Sequence, residues 1–289
     1  MKINRNDSCW CKSGKKYKQC HMEFDQKLEG YRNEGYIIPP RNIIKNEKQI
    51  EGIIESAKIN TAVLDHVAAH IKEGMTTLDI DHLVHDFTVK HDAIPAPLNY
   101  QGFPNSVCTS INNEVCHGIP SKDVVLKSGD IINVDVSTIY KGYFSDASRM
   151  FMIGEVSEEA RKLVEITKEC MQKGIEQVKP WGRLGDVGAA INKYAKENGY
   201  SVVRDIGGHG VGLEFHEEPF VSHVSREGTG MLLVPGMIFT IEPMVNVGTA
   251  RVKEDKKNGW TISTADGKLS AQWENMILVT EEGYEILTY

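Results

Sequence analysis

From Glu47 onward, apolar residues fall at Ile50, Ile53, Ile54, Ala57, Val63, Leu64, Val67, Ala68 and Ile71. That three-and-four spacing gives a helix one continuous apolar face, and Gly74 is the natural stop. A second helix is predicted over 77–91. The period then shortens to two, and short strands are read at 105–109, 114–118, 130–140 and 142–153. Helical spacing returns over 158–178 and 184–198, and the remainder reads as strands interrupted by glycine. Ahead of the first long helix, residues 23–33 read as a short helix. Gly35-Tyr36-Ile37-Ile38-Pro39-Pro40-Arg41 reads as extended, because neighbouring prolines remove amide donors and disfavour helix before them. The implied organisation is a small motif over 1–22, a helix and linker over 23–41, and a main unit over 42–289.

A shift of 107 residues lays Ile71-Lys72 on Val178-Lys179, Asp79-Ile80 on Asp186-Val187, Val84 on Ile191 and Phe87 on Tyr194. Each copy is a helix pair leading into strands. This suits an α+β fold of two related halves with a site between them, although two amphipathic helices alone account for a match of this kind nearly as well.

Composition narrows the class. With 289 residues, 40% hydrophobic and 25% charged, the chain can bury a full core, and no stretch reaches the ~18 to 20 apolar residues of a membrane span. The opening Met1-Lys2-Ile3-Asn4-Arg5-Asn6-Asp7 lacks the apolar stretch of a secretory signal, so a reducing cytoplasm is the expected compartment. The six cysteines are then expected to be thiols or metal ligands. Charge is uneven: Lys2, Arg5, Lys12, Lys15, Lys16 and Lys18 face Asp7 alone, so residues 1–21 carry +5 in a chain of net −7. A basic head on an acidic body points to a partner-binding tag or a solvated tail.

That head contains Cys9, Cys11, Cys20 and His21. Thirteen residues cannot fold on buried apolar surface, so three thiolates and an imidazole packed this closely imply a cation at their centre, and the donor set suits zinc. The spacing C-x-C-x8-C-H resembles the SEC-C motif, which is found at the ends of secretion- and translation-linked proteins.

The main unit carries a second constellation. Asp130–Ser137 alternates as a strand and Gly142–Phe151 reads as its hairpin partner. With a turn at Tyr140-Lys141, Asp135 faces Asp146; with a turn at Lys141-Gly142, Asp146 faces Ser137. Both registers put the two carboxylates on one face, where they repel unless protonated or bridged by a cation. Gly207-Gly208-His209-Gly210-Val211-Gly212 lets the backbone approach a ligand closely, and His216 follows. Glu242 and Glu274 each sit inside an apolar stretch, where an unpaired carboxylate is costly.

Together with Asn113-Glu114-Val115-Cys116-His117-Gly118-Ile119-Pro120, these residues resemble the type I methionine aminopeptidases from about Ile43 to Thr288. The resemblance implies a pita-bread α+β fold with pseudo-twofold halves, and removal of the initiator methionine from nascent polypeptide N-termini when the second residue is small. It implies two divalent cations, with manganese, iron or cobalt favoured over zinc or nickel. Asp135 would hold one, Asp146 and Glu274 would bridge both, and His209 with Glu242 would complete the second site. Glu242 would relay a proton, His216 would steady the carbonyl oxygen, and His117 would contact the scissile amide or the intermediate. Tyr100, Phe103, Cys108, Phe215 and Trp260 match a methionine pocket. Pro97 and Asn275-Met276 depart from the family's usual cysteine and histidine-threonine. The head would dock the enzyme to a ribosome or other translation partner, and a monomer is the default.

Other histidines and cysteines receive plainer readings. His66, His70, His82, His85 and His91 are expected on exposed helix faces, and Cys108, Cys116 and Cys170 as pocket or core thiols. Two competing functions remain: an X-prolyl aminopeptidase or prolidase, whose usual large leading domain has no counterpart in about 40 residues, and a silent binding protein, which normally loses metal ligands.

Overall fold

The computed structural model describes residues 3–289. Its first element is a knuckle closed by paired backbone between Ser8 and Lys16, followed by helix α1, Met22–Asn33. Asp25 on α1 ties the two together, accepting from the Trp10 indole at 3.2 Å, the Tyr17 hydroxyl at 2.8 Å and the Arg41 guanidinium at 2.6 Å. The extended stretch after α1 ends at Pro40, and Arg41 opens a short 3-10 turn, Arg41–Ile43, rather than continuing it. That stretch is laid along the main unit: Ile37 bridges Met231 and its carbonyl accepts the Leu232 amide at 2.8 Å. Tyr31 stacks on Trp181 with centroids 5.6 Å apart, Lys27 lies 3.7 Å over the same ring, and Arg183 lies 3.8 Å over Tyr36.

Helix α2, Glu47–His70, starts at a capping box in which Asn46 and Gln49 satisfy each other's free amides. Asn46 also donates to the Cys11 carbonyl at 3.0 Å, so the knuckle is hydrogen-bonded to the start of the scaffold. The helix stops short of the position read from Gly74. Ile71 is already extended, and Gly74, with φ +86°, turns the chain while its amide donates to Leu126. Ile71 still packs on the core, which is why its spacing looked helical. Helix α3 is Thr77–Lys90, α4 is Glu158–Ile175 and α5 is Leu184–Glu197.

The hairpin pairs Ile131–Tyr140 with Tyr143–Met152, and Tyr140 faces Tyr143. The turn is therefore Lys141-Gly142, both at positive φ as a two-residue hairpin turn demands, and Asp146 faces Ser137. Two strands differ from their predicted bounds. The strand read at 105–109 is Cys108–Ile111, because Asp81 takes the Ser106 amide out of the ladder. The strand read at 114–118 is Glu114–Cys116, ended by His117 at φ +56°.

Two sheets result. The first joins Ile94–Pro95, Cys108–Ile111 and the hairpin, with α2 and α3 packed on it through Val63, Leu64, Val67, Ile80 and Val84. The second runs in the order Tyr284–Ile286, Asn275–Val279, Ile238–Ile241, Gly208–Gly210, Glu217–Val221. Helices α4 and α5 share a core with it, through Leu163, Val164, Val187 and Ile191 against Phe239, Ile241 and Ile277. Two helix pairs on two sheets are what the 107-residue offset anticipated. The sheets meet where Ser148 bridges Glu274, between the hairpin and the last long strand. Among the described residues, no helix is long and apolar enough to cross a membrane.

Candidate active site

At the junction of the sheets lies a cavity of about 460 Å³ whose wall includes Asp135, Asp146, His209, Glu242 and Glu274. Strand period explains how distant residues converge. Asp135 and Ser137 share a face of their strand, Asp146 sits opposite Ser137, and Ser137 donates to Asp146 at 2.8 Å. Thr240 and Glu242 are two apart at the end of a central strand, and the Thr240 hydroxyl donates to Glu242 at 2.8 Å. Gln272 and Glu274 are likewise two apart, and Gln272 donates to the other Glu242 oxygen at 3.1 Å. Glu242 is thereby held at both oxygens, and its backbone amide donates to the buried His223 at 3.1 Å.

His209 Nδ1 lies 3.0 Å from the Gly210 carbonyl, which takes its proton and leaves Nε2 facing the carboxylates. Nε2 is 3.7 Å from Asp146 and 3.8 Å from Glu242. Ligand atoms of Asp146, His209 and Glu274 all lie within 4.8 Å of one another. The glycines flanking His209 serve strand packing more than ligand approach: a Cβ on Gly208 would meet the Thr240 carbonyl at 2.3 Å, and one on Gly210 the Glu218 carbonyl at 2.0 Å.

The electrostatics is one-sided. Burial pushes the Asp135 carboxyl up to about 7 and, with Asp135 repulsion added, the Glu242 carboxyl up to about 8. Burial and neighbouring carboxylates drive Asp146 and Glu274 well above the usual carboxylate range. No lysine or arginine lines the cavity among the described residues. Three buried acids and the half-buried Asp135, with one imidazole and no cationic side chain, form a donor set for hard divalent metal ions, whose charge would offset the repulsion that the fold leaves in place.

The rest of the cavity is apolar and aromatic. Tyr100, Phe103, Cys108, Phe215 and Trp260 all line it, with Tyr100–Phe215 and Phe103–Trp260 edge-on at 4.8 and 5.2 Å. The His216 ring is tilted against His209 with centroids 4.2 Å apart, and its Nδ1 lies 3.0 Å from the Tyr100 hydroxyl. Burial, then the neighbouring imidazoles, lowers His216 to about 4. His117 also lines the cavity, and burial pushes its imidazole below its ordinary pKa. Pro97 forms part of the rim. Asn275 and Met276 turn to the C-terminus instead: the Asn275 amide donates to the Thr288 carbonyl at 2.7 Å and the Met276 backbone amide to the Thr288 hydroxyl at 2.8 Å. Ser137, which the sequence offered as a register partner of Asp146, supports that carboxylate, and Thr240, Gln272 and His223 hold Glu242 without having been singled out in the sequence. Their signal was the two-residue spacing of Thr240 from Glu242 and Gln272 from Glu274.

In the knuckle, Cys9, Cys11, Cys20 and His21 place their ligand atoms within 4.8 Å of one another. Cys9 Sγ and Cys20 Sγ lie 3.2 and 3.1 Å from His21 Nδ1, and Cys11 Sγ lies 3.5 Å from Cys20 Sγ. A tetrahedral zinc sets its ligand atoms roughly 3.3–3.8 Å apart, so these donors fit a structural metal. All six thiols are free. Cys116 and Cys170 are buried core groups. Two histidines expected on exposed faces are half-buried: His66 lies between His70 and Phe87, and His85 hydrogen-bonds Ser106 at 2.9 Å. Neither joins a metal-ligand cluster among the described residues.

Residues 51–281 match the model of metallopeptidase family M24, and residues 5–23 match that of the SEC-C motif. The chain is 45% identical to the methionine aminopeptidase of Chlamydia pneumoniae over 289 residues, covering 99% of both chains, so this relative shares the head as well. The crystal structure of methionine aminopeptidase from Rickettsia prowazekii superposes with a TM-score of 0.84 at 47% identity, covering 85% of this chain and 99% of that one. The prolidase from Pyrococcus horikoshii has a TM-score of 0.68 at 25% identity, and the match covers 86% of this chain but 63% of the prolidase. With its pita-bread fold, its acid-lined cavity and its knuckle, the chain belongs to metallopeptidase family M24, among the type I methionine aminopeptidases, and carries a SEC-C motif.

Proposed function

We propose that the chain removes the initiator methionine from nascent polypeptides whose second residue is small. The observation that carries this reading is the cavity itself: three buried acids, the half-buried Asp135 and the His209 imidazole, with no lysine or arginine in the lining, beside aromatic rings and the Cys108 thiol. Asp135 would hold one cation, Asp146 and Glu274 would bridge two, and His209 and Glu242 would complete the second position. Oxygen donors with one nitrogen favour manganese, iron or cobalt, and accept zinc or nickel. When bound, the two ions supply Lewis acidity at the first peptide carbonyl and a water of lowered pKa beside it.

The chain's own groups do the rest. Glu242, fixed at both oxygens by Thr240 and Gln272, takes up a proton from the attacking water and returns it to the leaving amine. His216 receives the Tyr100 hydroxyl at Nδ1, so its proton sits on Nε2, from which it donates to the carbonyl oxygen as charge develops there. His117 contacts the scissile amide nitrogen or the intermediate. Tyr100, Phe103, Cys108, Phe215 and Trp260 enclose the methionine side chain, whose thioether packs well on aromatic rings and a thiol.

Residues 1–22 form the zinc-binding motif, with Cys9, Cys11, Cys20 and His21 as ligands, 23–41 the helix and linker, and 42–289 the catalytic unit. Basic residues on the knuckle would dock a monomeric, cytoplasmic enzyme to a ribosome or other translation partner. The test is peptide turnover: purified protein with a panel of divalent metals is expected to release methionine from Met-Ala-Ser and to leave Ala-Pro peptides intact. Cleavage of Ala-Pro alone would favour the prolidase activity, and no cleavage of either would leave a binding protein.

A further inference from the structure

Lys45 precedes the Asn46 cap, and its side chain is 0% exposed. Its backbone is fixed, with the amide donating to the Gly236 carbonyl at 2.9 Å. An ammonium taken out of water persists only against a well-placed anion. Here Nζ donates to Glu217 Oε2 at 2.5 Å and to the Ile43 carbonyl at 3.3 Å. The other Glu217 oxygen faces away from the lysine and accepts two consecutive backbone amides, Leu213 at 2.7 Å and Glu214 at 3.0 Å.

Those amides lie in the 211–216 loop, which closes between the paired residues Gly210 and Glu217. The loop rests on the lysine: a Cβ built on Gly212, at φ +132°, would lie 3.6 Å from Lys45 Cε and 2.5 Å from Ile53 Cδ1. It ends in Phe215 and His216, both of which line the cavity.

We propose that Lys45 and Glu217 form a positioning pair for His216. The lysine orients the carboxylate, the carboxylate holds two successive amides, and those amides fix the loop that delivers the imidazole to the substrate carbonyl. Glu217 alone would have several rotamers, and the loop amides alone have no side-chain acceptor. The pair removes both freedoms at a place where a displacement of about 1 Å costs on the order of 10²-fold in rate.

The inference rests on the reading of His216 as the donor to that carbonyl, and a cycle of variants separates the two. Lys45→Met keeps the length and burial of the side chain and removes its charge. With Met-Ala-Ser as substrate, kcat is expected to fall about 30-fold while KM stays within about threefold and active-site metal content is retained. In a His216→Ala background the same substitution is expected to cost less than about twofold, since the group being positioned is gone. Pairing Lys45→Met with Glu217→Gln, whose amide oxygen still accepts from the loop, is expected to recover most of the rate. An equal cost in both backgrounds, or a rate loss that tracks lost metal, overturns the proposal. A His216→Ala enzyme that turns over normally instead overturns the role given to His216. If Lys45→Met does not fold, Glu217→Gln alone runs the same cycle, with about tenfold expected in the parent and none in His216→Ala; full additivity again overturns the proposal.

Discussion

The knuckle and the cleft are both sets of potential metal ligands, built by opposite means. Cys9, Cys11, Cys20 and His21 are supplied by thirteen consecutive residues, and little else there is buried. Asp135, Asp146, His209, Glu242 and Glu274 come from both sheets across 140 residues, and their positions are set by strand register and two large cores. With almost no core of its own, the knuckle would need a metal in order to fold. The cleft's carboxylates are instead brought together by packing that is stabilised elsewhere. In one region a metal would stabilise structure; in the other, structure holds an electrostatically unfavourable site ready. Substitutions in the two places should therefore move different observables.

The largest effect is expected in the cleft. Asp146→Asn removes a charge proposed to serve both ions while keeping the acceptor for Ser137. Activity is expected to fall at least ~10²-fold with little change in the melting temperature, measured by peptide turnover and thermal unfolding. Near-normal turnover would rule out the two-metal reading.

Next comes the pH dependence of the metal-free protein. Asp135 lies near 7 and Glu242 near 8 in the fold, against 3.8 and 4.5 as their ordinary values. The folded state therefore holds protons that the unfolded chain has released. The resulting stability is complete below about pH 4 and is lost as pH rises towards 8, a loss on the order of a few kcal/mol. Chelated protein is expected to melt at lower temperature at pH 8 than at pH 5.5. Metal-loaded protein, whose ligands must be deprotonated, is expected to show the reverse. Parallel curves for the two forms would break the contrast.

The same difference decides what was legible in the sequence. The knuckle could be read whole, since its ligands are neighbours and their spacing alone implies a cation. In the cleft, alternation put Asp135 and Asp146 on one face, but choosing the register needed the Lys141-Gly142 turn, whose two positive φ values are visible only in the fold. Ser137, Thr240 and Gln272 looked like ordinary strand residues, because a neutral side chain inside a sheet raises no electrostatic objection. Nothing in the sequence marks Lys45 as buried, because its partner is 172 residues away. The overrun of α2 past His70 has a related cause: Ile71 packs on the core from extended backbone, and burial leaves the same apolar mark in either conformation.

A smaller effect is expected from Cys11→Ser. Loss of one thiolate should lower bound zinc by one equivalent and shift the melting of the knuckle, while kcat stays within about twofold, because the main unit uses only the Cys11 backbone carbonyl. An unchanged metal count would reject the zinc assignment. A collapse of turnover would show that the two regions are not energetically separate.

The smallest effect is expected at Asp25, which makes no proposed metal contact yet joins every part of the head. It accepts from Trp10, Tyr17 and Arg41, and Trp10 in turn packs on His21 with centroids 4.4 Å apart. Removing it leaves two buried or half-buried donors without a partner and frees the indole that orients His21. Groups that orient metal ligands typically change affinity 10–100-fold when lost, and because these contacts are partly solvated the lower end applies, about tenfold for zinc in Asp25→Ala. Competition with a chelator measures it. The stack of Tyr31 on Trp181 remains in this variant, so α1 should stay seated on the main unit and turnover should not change. A drop in turnover without metal loss would mean that the contacts around Asp25 reach the cleft, and the path would then run from Cys11 through Asn46 to the adjacent Lys45 and its Glu217 partner.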